Sequence, residues 1–401
     1  QLIPEWGDIV VDYVNEIDDE LEIEQISDEE AYPFITWVGE EVDEAYYKAV
    51  MGIEINPGLD KSDFKIVYSP QHGADNIPVR TCLKRLGYDI VPVLAQCAPD
   101  PDYTNTKSPN PEVDASYELA IKLAKEVDAD VVAITDPDGD RLGVVAKHNG
   151  EYVLMSGNQS AAVYLEYILS QRKEKGTLPD NAVMYNTIVT SDLGELVARN
   201  YGVDVEKTLT GFKFIGDKIR KYEKTHEKQF IFGYEESYGC VVEDFVRDKD
   251  AVQAVLLAAE CGNYYKKQGK DLIDVLNELY AKYGTFKESQ IALAKAGAAG
   301  AARIKEMMDT LRQDKPTEIG GVKVVLSEDY ATSERSDGTT IDLHKSNVLK
   351  YYLEDGSWIA ARPSGTEPKC KFYFSIKGKD AKDAADKTEV FHKAMMELIG
   401  E

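Results

Sequence analysis

Ala129-Asp130-Val131-Val132-Ala133-Ile134-Thr135-Asp136-Pro137-Asp138-Gly139-Asp140-Arg141 reads as an apolar β-strand running straight into three alternating carboxylates and a guanidinium. Carboxylates this close repel one another, so a fold that gathers Asp136, Asp138 and Asp140 has a cation to hold. Hard oxygen ligands favour Mg²⁺ or Ca²⁺. An EF-hand does not fit: its sixth position would be Arg141 where glycine is required, and its twelfth Lys147 where a bidentate Glu is required. The bland alternative is a polar turn. Arg141 can pair with the carboxylates or with a bound anion bridging to the metal.

Upstream of this stretch, Phe64-Lys65-Ile66-Val67-Tyr68 is a short β-rich run, a helix closed by Gly87 spans about 76–86, and Asp89-Ile90-Val91-Pro92-Val93-Leu94 reads as the next strand. A Pro- and Asn-rich loop at 98–111 leads to a helix at about 112–127. The alternation predicts α/β layers, with the carboxylates at a strand's C-terminal end, where open α/β sheets place ligands.

Downstream, a second cycle of the same kind starts near Asn158, with strands at 182–186, 204–208 and 230–232, helices between them, and two further helices at about 248–267 and 270–283. Past Gly284, strands at 286–294, 322–326, 357–362 and 370–377 enclose helices at about 298–313 and 380–399, which predicts an antiparallel sheet. The expected fold is therefore two consecutive α/β domains with mixed, largely parallel sheets (43–156 and 157–284), then a smaller α+β domain (285–401).

Two more loops carry polar chemistry. Gly233-Tyr234-Glu235-Glu236-Ser237-Tyr238-Gly239 follows an apolar strand; Glu235 and Ser237 could hydrogen-bond vicinal sugar hydroxyls, or the cluster could be a solvated surface loop. Arg362-Pro363-Ser364-Gly365-Thr366-Glu367-Pro368-Lys369 combines a fixed cation, two hydroxyls and a glycine whose amide can approach an oxyanion. Those are the parts of a phosphate cradle, although a tight charged turn would look the same. Lys249, in Arg247-Asp248-Lys249-Asp250, is a further candidate sugar or phosphate contact, against the reading of a surface charge near a helix start. No His lies at metal-ligand spacing from another.

Composition bounds the partners. The formal net charge of -26 argues against nucleic acid or an anionic membrane, and no apolar run or basic leader suggests membrane insertion or secretion. The five cysteines are scattered and never arranged as Cys-x-x-Cys, so they read as reduced thiols of a cytoplasmic protein. Residues 1–47 hold 16 Asp and Glu and no Lys or Arg. Such a stretch favours extension, but Ile9, Val10, Val14 and Ile17 recur at helical spacing, and Trp6 and Trp37 are costly to leave in water.

Together the loops resemble the α-D-phosphohexomutase family, the phosphoglucomutases and phosphomannomutases. Asp136–Arg141 is similar to that family's metal-binding motif, Gly233–Gly239 to its sugar-binding loop, and Arg362–Pro368 to its phosphate-binding loop. Tyr68-Ser69-Pro70-Gln71-His72-Gly73 resembles the opening strand of its second domain, and Thr210-Gly211-Phe212-Lys213 an active-site loop of its third. The match runs in order along nearly the whole chain. Family members have a first domain with a phosphorylated serine in a Thr-x-Ser-His-Asn motif, which does not occur in residues 1–401. Residues 1–42 look like an acidic remnant of that domain.

The resemblance implies a reversible shift of phosphoryl between C1 and C6 of a hexose phosphate, through a phosphoserine enzyme and a hexose 1,6-bisphosphate that also serves as activator. It implies Mg²⁺ on Asp136, Asp138 and Asp140, a fixed catalytic cation at Arg141, and substrate contacts from Gly211, Phe212, Glu235, Ser237, Lys249, Arg362, Ser364, Gly365 and Thr366. Glucose 1-phosphate and glucose 6-phosphate are the preferred substrates, with mannose or pentose phosphates as alternatives, in a monomer or weak homodimer. Residues 1–401 alone are expected to be inactive. Two rival readings stay open: a non-catalytic binder of sugar phosphates, and a metal-dependent phosphatase with Asp136 as nucleophile.

Overall fold

The computed structural model describes residues 2–365 and 367–401. In chain order its elements are α1 (Pro4–Asn15), α2 (Asp28–Ala31), α3 (Glu40–Met51), β1 (Lys65–Ser69), α4 (Asn76–Leu86), β2 (Asp89–Pro92), α5 (Glu118–Val127), β3 (Val131–Thr135), β4 (Leu142–His148), β5 (Glu151–Met155), α6 (Gly157–Glu174), β6 (Ala182–Thr187), α7 (Asp192–Asn200), β7 (Asp204–Thr208), α8 (Phe212–Thr225), β8 (Gln229–Tyr234), β9 (Cys240–Val241), α9 (Ala251–Lys266) and α10 (Leu272–Tyr283). The remainder is β10 (Thr285–Ala294), α11 (Gly297–Asp314), β11 (Glu318–Ile319), β12 (Val322–Asp329), β13 (Glu334–Arg335), β14 (Leu349–Leu353), β15 (Trp358–Pro363), β16 (Lys369–Gly378) and α12 (Ala381–Leu398).

These elements form three sheets, with strand orders β2-β1-β3-β4-β5, β7-β6-β8-β9 and β10-β16-β15-β14-β12-β11, β13 pairing with β12. The architecture is the expected one, two mixed α/β sheets followed by an antiparallel sheet. The chain divides into two compact units, one of Gln1–Met155, Asn181–Val183 and Gly211–Gly269, the other of Ser156–Asp180, Met184–Thr210 and Lys270–Glu401.

In the first unit β1 pairs parallel with β2 and β3, while β3–β4 and β4–β5 are antiparallel. The acidic stretch is thus the tip of a β3–β4 hairpin; the chain returns at once as Leu142–His148, a strand absent from the sequence reading. One face of the sheet (Val67, Val132, Ile134, Val145) packs on Tyr117, Ala120 and Ala124 of the segment leading into and forming α5. The expected helix at 112–127 is a 3₁₀ turn (Asp114–Tyr117) followed by α5.

The other face takes α9, where Gly262 lets the helix approach so closely that a Cβ there would lie 2.7 Å from the Phe64 ring. Helix α9 is buried in 14 of its 16 residues, and its buried Gln253, Glu260 and Asn263 each secure a loop. Gln253 accepts from the amides of Val242 and Glu243, Glu260 from those of Ile55 and Asn56, and Asn263 donates to Asp60 O. Buried polar groups are tolerated only when paired in this way.

Helix α1 forms where the spacing of Ile9, Val10 and Val14 predicts, yet none of its residues is buried. Trp6 is 53% and Trp37 86% exposed, so the expectation that such rings avoid water is not met; Trp6 borders a cavity shared with Lys213, Gly216 and Arg220 of α8 without being buried there. No described helix is long and apolar enough to cross a membrane.

In the second unit the C-terminal sheet is antiparallel throughout. Helices α11 and α12 lay Met307, Met308, Leu311, Phe391 and Met395 on Phe372, Phe374 and Ile359 of its strands. This positions the β15–β16 hairpin, whose tip is the loop from Ser364 to Pro368.

Candidate functional site

Three loops of the first unit meet at the β3–β4 hairpin tip and are tied to it by main-chain hydrogen bonds. Ala74 N donates to Pro137 O (2.9 Å), Ala251 N to Gly139 O (3.0 Å) and Leu142 N to Tyr238 O (3.0 Å). Gly73 is required at this junction, since a Cβ would lie 2.5 Å from Pro137 Cα, and Gly139 adopts φ +72°, a conformation that side chains resist. Within the tip, Asp136 Oδ1 accepts from the amides of Asp140 and Arg141, both at 3.0 Å, which fixes the first carboxylate against the turn it begins.

Asp136, Asp138 and Asp140 each offer a carboxylate oxygen within 4.8 Å of the other two, with Asp136 buried and Asp138 exposed. Burial, reinforced by the charge of Asp140, pushes the Asp136 carboxyl up to about 7. Asp140 Oδ1 and Arg141 Nε are buried without hydrogen-bond partners. The guanidinium stands 3.6 Å from both Asp136 and Asp140, too far for a hydrogen bond, and 3.2 Å from Glu112. Crowded carboxylates with unspent acceptors and one open side fit a hard divalent cation.

Lys249 joins this cluster from the turn before α9. Its Nζ lies 2.8 Å from Asp140 Oδ2 and 3.4 Å from Glu235 Oε1, and 5.9 Å from the Phe212 ring centroid. Burial works against the ammonium, but Glu235 and Asp140 outweigh it and hold the lysine above its ordinary range. Ser237 donates to Glu235 Oε1 at 2.8 Å, and the loop is closed by Glu235 N to Gly239 O at 2.9 Å. Gly211 (φ +111°) caps α8, whose first residue, Phe212, is buried.

Arg362, Ser364 and Gly365 lie in the second unit. Arg362 is the penultimate residue of β15 and pairs in register with Lys371. Ser364 N donates to Lys369 O at 2.8 Å and Glu367 N to Ser364 Oγ at 3.3 Å, which closes the hairpin tip. Thr366 lies outside the described residues.

The first unit therefore brings together Asp136, Asp138, Asp140, Arg141, Phe212, Glu235, Ser237 and Lys249. Sequence reasoning missed Asp75, Glu112 and Asp250. Asp250 caps α9, accepting from Val252 and Gln253 amides and from Tyr46 Oη. The signal for Asp75 was adjacent, two residues beyond the quoted Tyr68–Gly73 stretch.

Sequence comparison shows the family. Three domain families match in order: phosphoglucomutase/phosphomannomutase alpha/beta/alpha domain II over residues 44–150, alpha/beta/alpha domain III over 156–283, and the C-terminal domain over 298–391. The chain belongs to the phosphoglucomutase/phosphomannomutase family. It is 35% identical over 376 residues to a phosphoglucomutase of Staphylococcus haemolyticus, covering 92% of this chain and 67% of that protein. It is 38% identical over 346 residues to one of Staphylococcus epidermidis, covering 84% and 62%. The chain thus spans about two thirds of the length of these curated relatives. Among solved structures, parafusin (phosphoglucomutase) from Paramecium in its open form superposes with a TM-score of 0.67 at 19% identity, covering 89% of this chain and 63% of that one. A putative phosphomannomutase from Thermus thermophilus gives 0.62 at 18%, covering 90% and 66%. At such identities these two speak for the fold alone.

Proposed function

We propose that this chain carries the metal-, sugar- and phosphate-binding parts of a phosphoglucomutase-type phosphohexomutase that interconverts hexose 1-phosphate and hexose 6-phosphate through a hexose 1,6-bisphosphate. The observation that carries the reading is the meeting of the Asp136–Arg141 tip, the Glu235–Gly239 loop and Lys249 in one unit. Asp136, Asp138 and Asp140 would hold Mg²⁺, which offsets charge on a phosphoryl group in transfer. Arg141 adds a fixed cation beside the same oxygens. Glu235, oriented by Ser237 and Lys249, accepts from sugar hydroxyls, and Lys249 is placed to exchange its carboxylate partners for a phosphate. Arg362, with the Ser364 hydroxyl, the Gly365 amide and Thr366, takes the phosphate at the other end of the sugar. The phosphoserine is supplied by residues outside 1–401.

Glucose phosphates are the preferred substrates, supported by the Glu-Glu-Ser-Tyr-Gly form of the sugar loop and by relatives named phosphoglucomutase. The test is calorimetric titration of residues 1–401 with glucose 1,6-bisphosphate and Mg²⁺, alongside a coupled assay. Binding that weakens at least tenfold in Arg362→Ala, with no turnover of glucose 1-phosphate, is expected. Turnover above background by a mass-verified preparation would overturn the serine assignment, and absence of bisphosphate binding would overturn the site. In the complete enzyme, equal turnover of glucose 1-phosphate and mannose 1-phosphate would rule out a glucose preference.

A further inference from the structure

The structure assigns Asp75 a role in the cation site, an inference that rests on reading Asp136, Asp138 and Asp140 as cation ligands. Asp75 occupies the N-cap position of α4, yet its side chain makes no cap bond to that helix. It is only 6% exposed, and its Oδ2 is buried without a hydrogen-bond partner. The carboxylate lies flat against the metal loop: a Cβ on Gly139 would stand 2.4 Å from Asp75 Oδ1 and 2.8 Å from Oδ2.

The absence of a side chain at Gly139 is therefore what admits this carboxylate against the tip. The charged groups that face it most strongly are Asp250, Asp136, Asp138 and Asp140, all of its own sign. Asp250 is already satisfied by the Tyr46 hydroxyl, the α9 amides and Gln253. A carboxylate removed from water, unbonded and surrounded by like charges is unfavourable in the empty protein. Such a group persists when its partner is a ligand.

Asp75 stands outside the three-oxygen cluster formed by the other aspartates. Its role is that of a positioning residue: a fourth negative charge, held behind Gly139, that raises the loop's attraction for a divalent cation. It orients that ion's surroundings and does not replace one of the three ligands.

A structural carboxylate and a cation-directed one predict opposite signs. Cation affinity of residues 1–401 is measured by calorimetry with Mn²⁺ and Mg²⁺ at pH 8, and thermal unfolding is followed after removal of metal with chelator. Asp75→Asn is expected to weaken cation binding about tenfold, as loss of an outer-shell partner does, while raising the melting temperature of the metal-free protein. Asp75→Ser should act in the same direction on both readouts. Unchanged affinity, or a fall in metal-free melting temperature together with affinity, overturns the role. Asp138→Asn separates the two levels: if it abolishes binding and Asp75→Asn does not alter it, only Asp75 is misassigned. If Asp138→Asn leaves binding intact, the aspartate loop is not the cation site, and Asp75 falls with it.

Discussion

Among single residues, Lys350 is a lysine that the fold takes wholly out of water. It lies on β14, fully buried, with Nζ donating to Ile188 O at 2.7 Å and standing 4.0 Å from the Trp358 ring and 4.6 Å from Tyr352. Those contacts favour an ammonium, as do Asp192, Glu328 and Glu195. Burial, followed by the charge of Lys207, wins and lowers the lysine to about 7. Below pH 7 it is charged in both folded and unfolded chains. Between there and the ordinary lysine value of about 10.4 the unfolded chain binds more protons, so this residue makes stability rise with pH. Chemical unfolding of wild type and Lys350→Met across pH 7 to 10 should therefore show the wild type gaining on the variant, by up to roughly 4 kcal/mol. A constant difference would mean that Lys350 stays charged.

At this scale the sequence was legible where chemistry is local. Asp136, Asp138 and Asp140 stand within five residues, and their grouping survives folding. Lys249 and Glu235 also announced themselves by their loops, but their ion pair depends on the close approach of two turns. Asp75 drew no reading from the sequence, because nothing local tells an aspartate that caps a helix from one that turns away.

At the scale of elements, α9 carries the clearest energetic prediction. Its Glu260 is buried and accepts from the amides of Ile55 and Asn56, so one side chain anchors the segment that follows α3. Glu260→Leu should cost about 3 kcal/mol of unfolding free energy in urea, by removing a charge-assisted acceptor shared by two part-buried amides, and Glu260→Gln less. A loss below about 1 kcal/mol would show that water replaces the carboxylate. The helix itself was visible in the sequence at about 248–267, since an apolar run of that length admits few alternatives. Its partner sheet was not: a helix buried all round has no polar face to say which layer it joins. Likewise β4 and β5 escaped notice because strand–helix alternation was extended past the acidic stretch, where the chain folds straight back. Gly87 and Gly284, by contrast, marked helix ends, and both sit at positive φ.

For the whole molecule, the excess of carboxylates sets how ligands arrive. A chain of formal charge -26 repels a sugar phosphate at long range, whatever local attraction the proposed cationic contacts supply. Raising ionic strength from about 10 to 100 mM shortens the screening distance from about 30 to 10 Å, which removes mainly the repulsion. Stopped-flow association of glucose 1-phosphate should accelerate a few-fold over that range; slowing would show that the basic groups dominate the approach. Fold class was readable at this scale because layer order follows from element order, whereas the exposure of Trp6 and Trp37 was not, since composition says what a ring prefers and not whether anything is there to cover it. The hairpin tip has a consequence for how such a protein can change over generations. Because Pro137, Gly139 and Leu142 are bonded through their main chains to Ala74, Ala251 and Tyr238, the loop cannot be exchanged as a cassette. An insertion or deletion there would have to be matched in three distant segments at once, so its length is heritable only as part of a set.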